Sequence, residues 1–371
     1  MLSRLATAPE PSDSLELRHE VVSLMDTGVY GAELQRKAVP VHTLGLQGFG
    51  GLPAALFRLT RLVRRTRPDV LQTWLYHADF VGLLASMLSL LRVPVVWNVR
   101  CSDMDLRRYA WSTRALLRVL AQLSSWPAAV VVNSEVGRDW HARAGYRPRR
   151  WCVIPNGFDV GAHAPDPATK AATRQRLGVE DSHLLFACAA RVDPMKDHAG
   201  LLDAFARHIE KHPHSRLVLM GKGTDTAEGP LAGLGSDRRL SGAVFAMGER
   251  TADYWDILQG ADALVLPSAF GEGFPNVLGE AMCLGIPCIT TDVGDAGRVV
   301  GDTGWVVPPR SPQALAEAID ALAGLAAERR QGLGCAARRR MIENFSLERI
   351  VGDYASLYAS PCRRPRHRPG R

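Results

Sequence analysis

Residues 261–292 read ADALVLPSAFGEGFPNVLGEAMCLGIPCITTD. An apolar run, ADALVLP, passes into a loop shaped by Gly271, Gly273 and Pro275. A helical pattern from Asn276 to Leu284 follows, with Pro275 expected as its first residue, and PCITTD restores an apolar strand. Strand, tight loop, helix and strand make one βαβ unit, and the same alternation recurs on both sides. In the second half of the chain the strand candidates are HLLFACAA, SRLVLMG, GAVFAMG, ADALVLP, PCITTD and GWVVP. In the first half they are HEVVSL, AVPVHTL, DVLQTW, VPVVWNV, AAVVVN and WCVIP. Two series of about six predict an α/β protein of two Rossmann-like domains, with the break near the Gly-, Pro- and Asp-rich NGFDVGAHAPDPAT. One departure stands at the start: MLSRLA reads as helix, so the first domain is expected to lack the opening strand and Gly-rich loop of a Rossmann-like half.

The 371 residues suit two domains, and 46% apolar and 22% charged residues describe an ordinary globular chain. The longest uncharged apolar run, Phe80 to Leu91, is too short to span a bilayer, and the N-terminus has no apolar stretch of signal-peptide length. Seven cysteines without a C-x-x-C pair read as reduced packing residues of a cytoplasmic protein. The net charge of +7 is unevenly spread. Residues 1–160 carry 20 Lys/Arg against 13 Asp/Glu, residues 161–362 carry 20 against 25, and the last nine hold five Arg. The Pro- and Arg-rich end, residues 361–371, is expected to be disordered.

Ligands of parallel α/β sheets bind beyond the carboxyl ends of the strands, so the residues after each strand carry the chemistry. In the quoted stretch, the amides of Asn276, Val277 and Leu278 would open a helix and offer an anion site for a diphosphate. Glu272 and Glu280 flank them, an arrangement that suits a ligand with hydroxyls at both ends and phosphates between, such as a sugar nucleotide. In RVDPMK, Arg191 and Lys196 follow HLLFACAA and could neutralise the same diphosphate.

These motifs carry a resemblance. E-x7-E in EGFPNVLGE and R-x4-K in RVDPMK, with RPDVLQTWLYHAD, VVNSE, VIPNGFD, GER, TGWVVPPRSPQALAEAI and IENFS, resemble the retaining glycosyltransferases of family 4. That family has the GT-B fold, and the likeness is closest to its bacterial O-antigen and exopolysaccharide branch.

The resemblance implies two Rossmann-like domains facing a cleft. The N-terminal acceptor domain takes 1–160, the C-terminal nucleotide-sugar domain 161–342, and a helix over 343–360 returns to the first domain. It implies that Arg191 and Lys196 hold the donor diphosphate, Glu280 the ribose and Glu272 a donor-sugar hydroxyl. Asn276, Val277, Leu278 and Gly273 shape the phosphate-binding helix start, and Glu249 and Arg250 frame the base. His77 is the expected cleft histidine, and Asn98, Arg100 and Asp103 are acceptor-side candidates. The implied activity is retaining, metal-independent hexosyl transfer from a nucleotide sugar, expected to be a UDP-sugar, to a glycan or polyprenyl-linked saccharide. No cofactor and no metal are expected. The alternatives are a donor-binding chain with little activity and a nucleotide-sugar epimerase.

Asp103-Met-Asp105 matches D-x-D, a metal–nucleotide motif of the other major glycosyltransferase fold, and is read as coincidental. Gly221-Lys-Gly223 lacks the third Gly of a dinucleotide fingerprint, which argues against a dehydrogenase. Residues 56–69, LFRLTRLVRRTRPD, form a basic amphipathic helix that could press on the anionic inner face of the cytoplasmic membrane or pack its apolar side inward. No nucleic-acid motif is present.

Overall fold

The computed structural model describes residues 1–8, 17–102, 110–226, 231 and 237–362. In chain order the elements are α1 (Leu2–Thr7), β1 (Val21–Ser23), α2 (Gly28–Arg36), β2 (Val41–Thr43), α3 (Leu52–Thr66), β3 (Leu71–Trp74), α4 (Tyr76–Ser89), β4 (Val95–Val99), α5 (Trp111–Leu123), β5 (Ala129–Val132), α6 (Glu135–Arg143) and β6 (Trp151–Val153). They continue with α7 (Pro167–Arg176), β7 (Leu185–Ala189), α8 (His198–Ile209), β8 (Arg216–Met220), β9 (Val244–Ala246), α9 (Tyr254–Gly260), β10 (Ala263–Leu266), α10 (Asn276–Cys283), β11 (Cys288–Thr291), α11 (Ala296–Val300), β12 (Trp305–Val307), α12 (Pro312–Ala323), α13 (Ala327–Phe345) and α14 (Leu347–Cys362). Each apolar run named above carries one strand.

The chain divides into two compact units, residues 1–157 with 347–371, and residues 158–346. The first division falls three residues before the expected 160. Phe158 donates its N–H to the Phe345 carbonyl at 2.9 Å and bridges to Ser346, and both belong to the second unit. α14 runs through Cys362, past the expected 360, and the Arg-rich residues 363–371 lie outside the described residues.

In the first unit, β3, β4, β5 and β6 form a parallel sheet in that order, while β1 and β2 pair parallel apart from it. The strands alternate sides. Val96, Ala129 and Val131 face a cluster built with Ile350, Tyr354 and Leu357 of α14. Val95, Trp97, Val130 and Val132 face Leu117, Leu120 and Tyr146 on the other side. Both faces are covered, which is why these strands read as nearly continuous apolar runs.

The second unit holds a six-stranded parallel sheet in the order β12-β11-β10-β7-β8-β9. From β7 the chain adds β8 and β9 on one side, then returns past β7 to add β10, β11 and β12 on the other. The order therefore reverses between β7 and β10, where the loops leaving two adjacent strands diverge and open a crevice. Phe186, Leu217 and Val265 face Leu201, Phe205, Leu315 and Ile319 of α8 and α12. Leu185, Val218 and Leu264 face Ile257, Leu278, Met282 and Met341 of α9, α10 and α13.

Candidate functional site

The loops after β7 and β10 flank that reversal, and the structure brings them together. A 3-10 turn at Pro194–Lys196 carries Lys196, whose Nζ forms a buried ion pair with Oε1 of Glu272 from the β10 loop. Ser268 Oγ donates to the same carboxylate at 2.5 Å, and the Ala269 N–H donates to the Met195 carbonyl at 2.8 Å. Only 12% of the Lys196 side chain and 8% of Glu272 are exposed, so neither charge could be there without the other. Arg191 stands at the rim, its side chain 58% exposed and its Nη2 3.3 Å from Asp193 Oδ2.

The Gly residues of the loop are there for space. At Gly271, φ is +79° and a Cβ would lie 2.6 Å from Met195 Sδ, so this is where the two loops touch. At Gly294, with φ +63°, a Cβ would lie 2.2 Å from the Glu272 carbonyl oxygen. The loop after β11 is thereby pressed against the loop after β10, and the Asp295 N–H donates to the Gly273 carbonyl at 2.9 Å.

α10 begins at Asn276, with Pro275 as its N-cap at φ −75° and ψ 107° rather than as its first residue, and it ends at Cys283. Proline brings no capping side chain, and the positive end of the helix dipole lies at Asn276. Asn276 is exposed, Val277 half-buried and Leu278 buried; Leu278 offers its backbone only. One turn on, the half-buried Glu280 accepts a 2.6 Å hydrogen bond from the hydroxyl of Tyr254, the first residue of α9. Burial first, then the Glu280 charge, pushes the Tyr254 hydroxyl far above its ordinary pKa, so it stays a donor. Glu249 is exposed after β9. Arg250 is engaged by Asp253, Nε to Oδ1 at 2.8 Å and Nη2 to Oδ2 at 2.5 Å, which raises its pKa and fixes its plane.

The first unit carries the remaining candidates. His77, the second residue of α4, is exposed. Its neighbours in sequence are committed inward: Tyr358 donates its hydroxyl to Gln72 Oε1, Trp74 packs against Tyr354, and Tyr76 OH lies 2.8 Å from His141 Nε2. Asn98, expected on the acceptor side, is instead completely buried, and its Nδ2 donates to Tyr354 OH at 2.8 Å. α14 covers that end of β4, so Asn98 can act only through the groups around it. Arg100 lies 5.2 Å from the Trp74 ring, with its pKa lowered chiefly by burial. Asp103, and with it the D-x-D match, lies outside the described residues.

Sequence reasoning missed Tyr254, Ser268 and His198. Tyr254 begins a helix whose apolar pattern gives no sign that its hydroxyl orients a carboxylate 26 residues later. His198 follows Lys196 closely, is buried, and is held toward its neutral form by that burial.

Two family models match the chain. "Glycosyl transferase 4-like domain" covers residues 13–157, and "Glycosyl transferases group 1" covers 182–324. The putative glycosyltransferase EpsF of Bacillus subtilis is 28% identical over 58% of this chain and 56% of its own length. A phosphatidyl-myo-inositol mannosyltransferase of Mycobacterium tuberculosis is 31% identical over 66% of this chain and 64% of its own. The chain thus spans roughly half to two thirds of these curated relatives. Among solved structures, Anabaena HepE in complex with UDP aligns with a TM-score of 0.82 over 97% of this chain and 95% of HepE, at 23% identity. A glycosyltransferase of Rickettsia africae aligns with a TM-score of 0.79 over 97% and 94%, at 16% identity. Two family models that together cover most of the chain, on a fold of two parallel α/β units, establish that it belongs to the family 4, group 1 glycosyltransferases of the GT-B fold.

Proposed function

We propose that the chain transfers a hexosyl group from a nucleotide sugar, a UDP-sugar, to a glycan or polyprenyl-linked saccharide in cell-surface polysaccharide synthesis, with retention and without a metal ion. The observation that carries this reading is the buried Lys196–Glu272 pair at the strand-order reversal, beside a helix start that has no side-chain cap. It is a site made for a ligand with a diphosphate and hydroxyls. As the bond from sugar to diphosphate breaks, negative charge grows on the leaving oxygen. In this reading Arg191, Lys196 and the amides of Asn276 and Val277 meet that charge. Leu278 and Gly273 shape the helix start, Glu272 takes a sugar hydroxyl, Glu280 the ribose, and Glu249 and Arg250 frame the base. His77 and Arg100 of the first unit serve the acceptor. The UDP and UDP-glucose complexes of HepE support the donor class, and the likeness to the putative glycosyltransferase EpsF supports transfer.

The polyprenyl-linked acceptor places the work at the cytoplasmic face of a membrane, and the first unit has a surface suited to it. Arg58, Arg61, Arg64 and Arg65 of α3 are exposed, and so is Phe57. Arg64 Nη2 donates to the Leu88 carbonyl at 2.7 Å, which ties this basic face to the exposed Leu88 and Leu90 at the end of α4. Among the described residues, no helix is long and apolar enough to cross a membrane.

Arg191→Ala combined with Lys196→Ala should abolish sugar transfer in a mass-spectrometric screen of nucleotide sugars against saccharide acceptors. Retained turnover would refute the diphosphate assignment, and conversion of donor in the absence of acceptor would replace transfer by epimerisation. Sedimentation with anionic vesicles should decline as salt rises, and no sedimentation at low salt removes the membrane contact.

A further inference from the structure

At the far end of α8 from Lys196, roughly 18 Å along the helix, three side chains converge. His208 Nδ1 lies 2.6 Å from Asp320 Oδ1, and His212 Nε2 lies 4.0 Å from the same oxygen. The two imidazoles stack with centroids 4.6 Å apart, and one ligand atom from each of the three residues fits within 4.8 Å of the others. The catalytic reading uses none of these groups.

We propose that His208, His212 and Asp320 form a binding site for a first-row divalent cation, with zinc the best match to two imidazoles and a carboxylate. Three features beyond proximity support it. His208 Nε2 lies 2.8 Å from Ser215 Oγ. With the ring proton on Nε2 and donated to that hydroxyl, Nδ1 is left to ligate, the outer-shell arrangement that metal-bound histidines use. Lys211 Nζ donates to Asp320 Oδ2 at 2.7 Å, which orients the carboxylate so that Oδ1 stays directed at both rings. The cluster also stands at the carbonyl end of α8, where the helix dipole favours a cation.

Access is open on one side only. His208 is fully buried, whereas 36% of the His212 side chain and 19% of Asp320 are exposed, which leaves room for a water as fourth ligand. Metal legs of about 2.0–2.1 Å in a tetrahedral site need ligand atoms roughly 3.3 Å apart. The 2.6 Å contact must therefore open and the 4.0 Å contact close by a similar amount, and the part-exposed His212 ring, now within 20° of parallel to His208, must turn about its side-chain torsions so that both lone pairs meet one ion. A cation held there joins α8 to α12 on one face of the second sheet, so its work is to staple the fold.

The test is calorimetric titration of the chelator-stripped full chain with zinc chloride. Saturable uptake of one equivalent is expected, with a midpoint of thermal unfolding several degrees higher at saturating zinc. His212→Ala, a change at a part-exposed ring, should fold normally and bind zinc at least about tenfold more weakly, and Ser215→Ala should weaken it by about tenfold. Absence of saturable uptake overturns the proposal. So does unchanged affinity in His212→Ala, which would assign the zinc to another group such as the exposed Cys335.

Discussion

Tyr254 makes the Glu280 carboxylate a fixed acceptor instead of a swinging one. Its hydroxyl holds Oε2, and the proposed ribose contact falls to the rest of the carboxylate. Tyr254→Phe should weaken UDP binding by about tenfold, the scale of one hydrogen bond to a charged group, and Glu280→Ala should weaken it further. Isothermal titration against UDP measures both, and equal affinity in Tyr254→Phe and the parent would end the assignment. The Lys196–Glu272 pair makes a different demand. Removing the ammonium alone leaves a buried carboxylate, so Lys196→Met should cost about 3–5 kcal/mol in denaturant unfolding as well as transfer activity, whereas Arg191→Ala at the exposed rim should cost activity with little stability.

Among the elements, α4 is held to β3 by an acid that stays protonated. Asp79 is completely buried, accepts a 2.5 Å hydrogen bond from Thr73 Oγ1, and is pushed up to about 8 from 3.8, mainly by burial. A raised native pKa means that the folded state keeps a proton the unfolded chain has released. Its contribution to stability is complete below about pH 3.8 and is lost as pH rises toward 8. Burial pulls His141 down to about 4, an effect of opposite sign confined to pH below its ordinary 6.5. Between 6.5 and 8 the buried α-amino group of Met1, lowered from 8.0 to about 6, also titrates and with the opposite sign, so Asp79 is read there from the difference between the parent and Asp79→Asn. There the parent should lose up to about 1.4 kcal/mol per pH unit relative to Asp79→Asn, which keeps an acceptor for Thr73. Parallel slopes for the two proteins would show that the carboxyl ionises normally.

At this scale the sequence was readable wherever the signal is local. Strands such as AAVVVN and HLLFACAA announce themselves by apolar runs, and the β10 loop by the glycines its turns require. It was silent wherever the partner is remote. That Asn98 lies under Tyr354, 256 residues on, follows from which face of the first sheet α14 covers, and no periodicity in VPVVWNV encodes that. The same remoteness hid Tyr254 behind Glu280, and it hid the anchoring of Tyr358 by Gln72 and of Tyr354 by Trp74.

In the whole molecule the basic excess resolves into separate parts: a first segment with seven more basic than acidic residues, a second with five more acidic, and an Arg-rich end. In the function proposed above the donor's charge is met locally, by Arg191, Lys196 and a helix start, and the basic excess of the first segment serves the proposed contact with an anionic surface. α14 supplies one whole face of the first sheet, with Ile350, Tyr354, Leu357 and Val351 almost entirely buried. At about 1.5–3 kcal/mol for each such side chain, ending the chain at Ser346 removes about 6–12 kcal/mol, the scale of a domain's whole margin of stability. That truncation should leave residues 1–157 sensitive to protease while residues 158–346 stay resistant, a contrast that limited proteolysis reads directly.

The second unit is, in chain order, an insertion between two pieces of the first. On the ribosome, the strands of residues 1–157 emerge early but must wait for the 189 residues of 158–346 before their covering helix exists. At about 5–20 residues per second that interval is roughly 10–40 s, long enough for the inserted unit to fold first. During it, Val96, Val131 and Ile154 present an uncovered apolar surface to whatever is nearby. The amino-terminal unit is thus the last to be completed, and a premature stop between residues 158 and 346 leaves it unfinished although every one of its strands has been made.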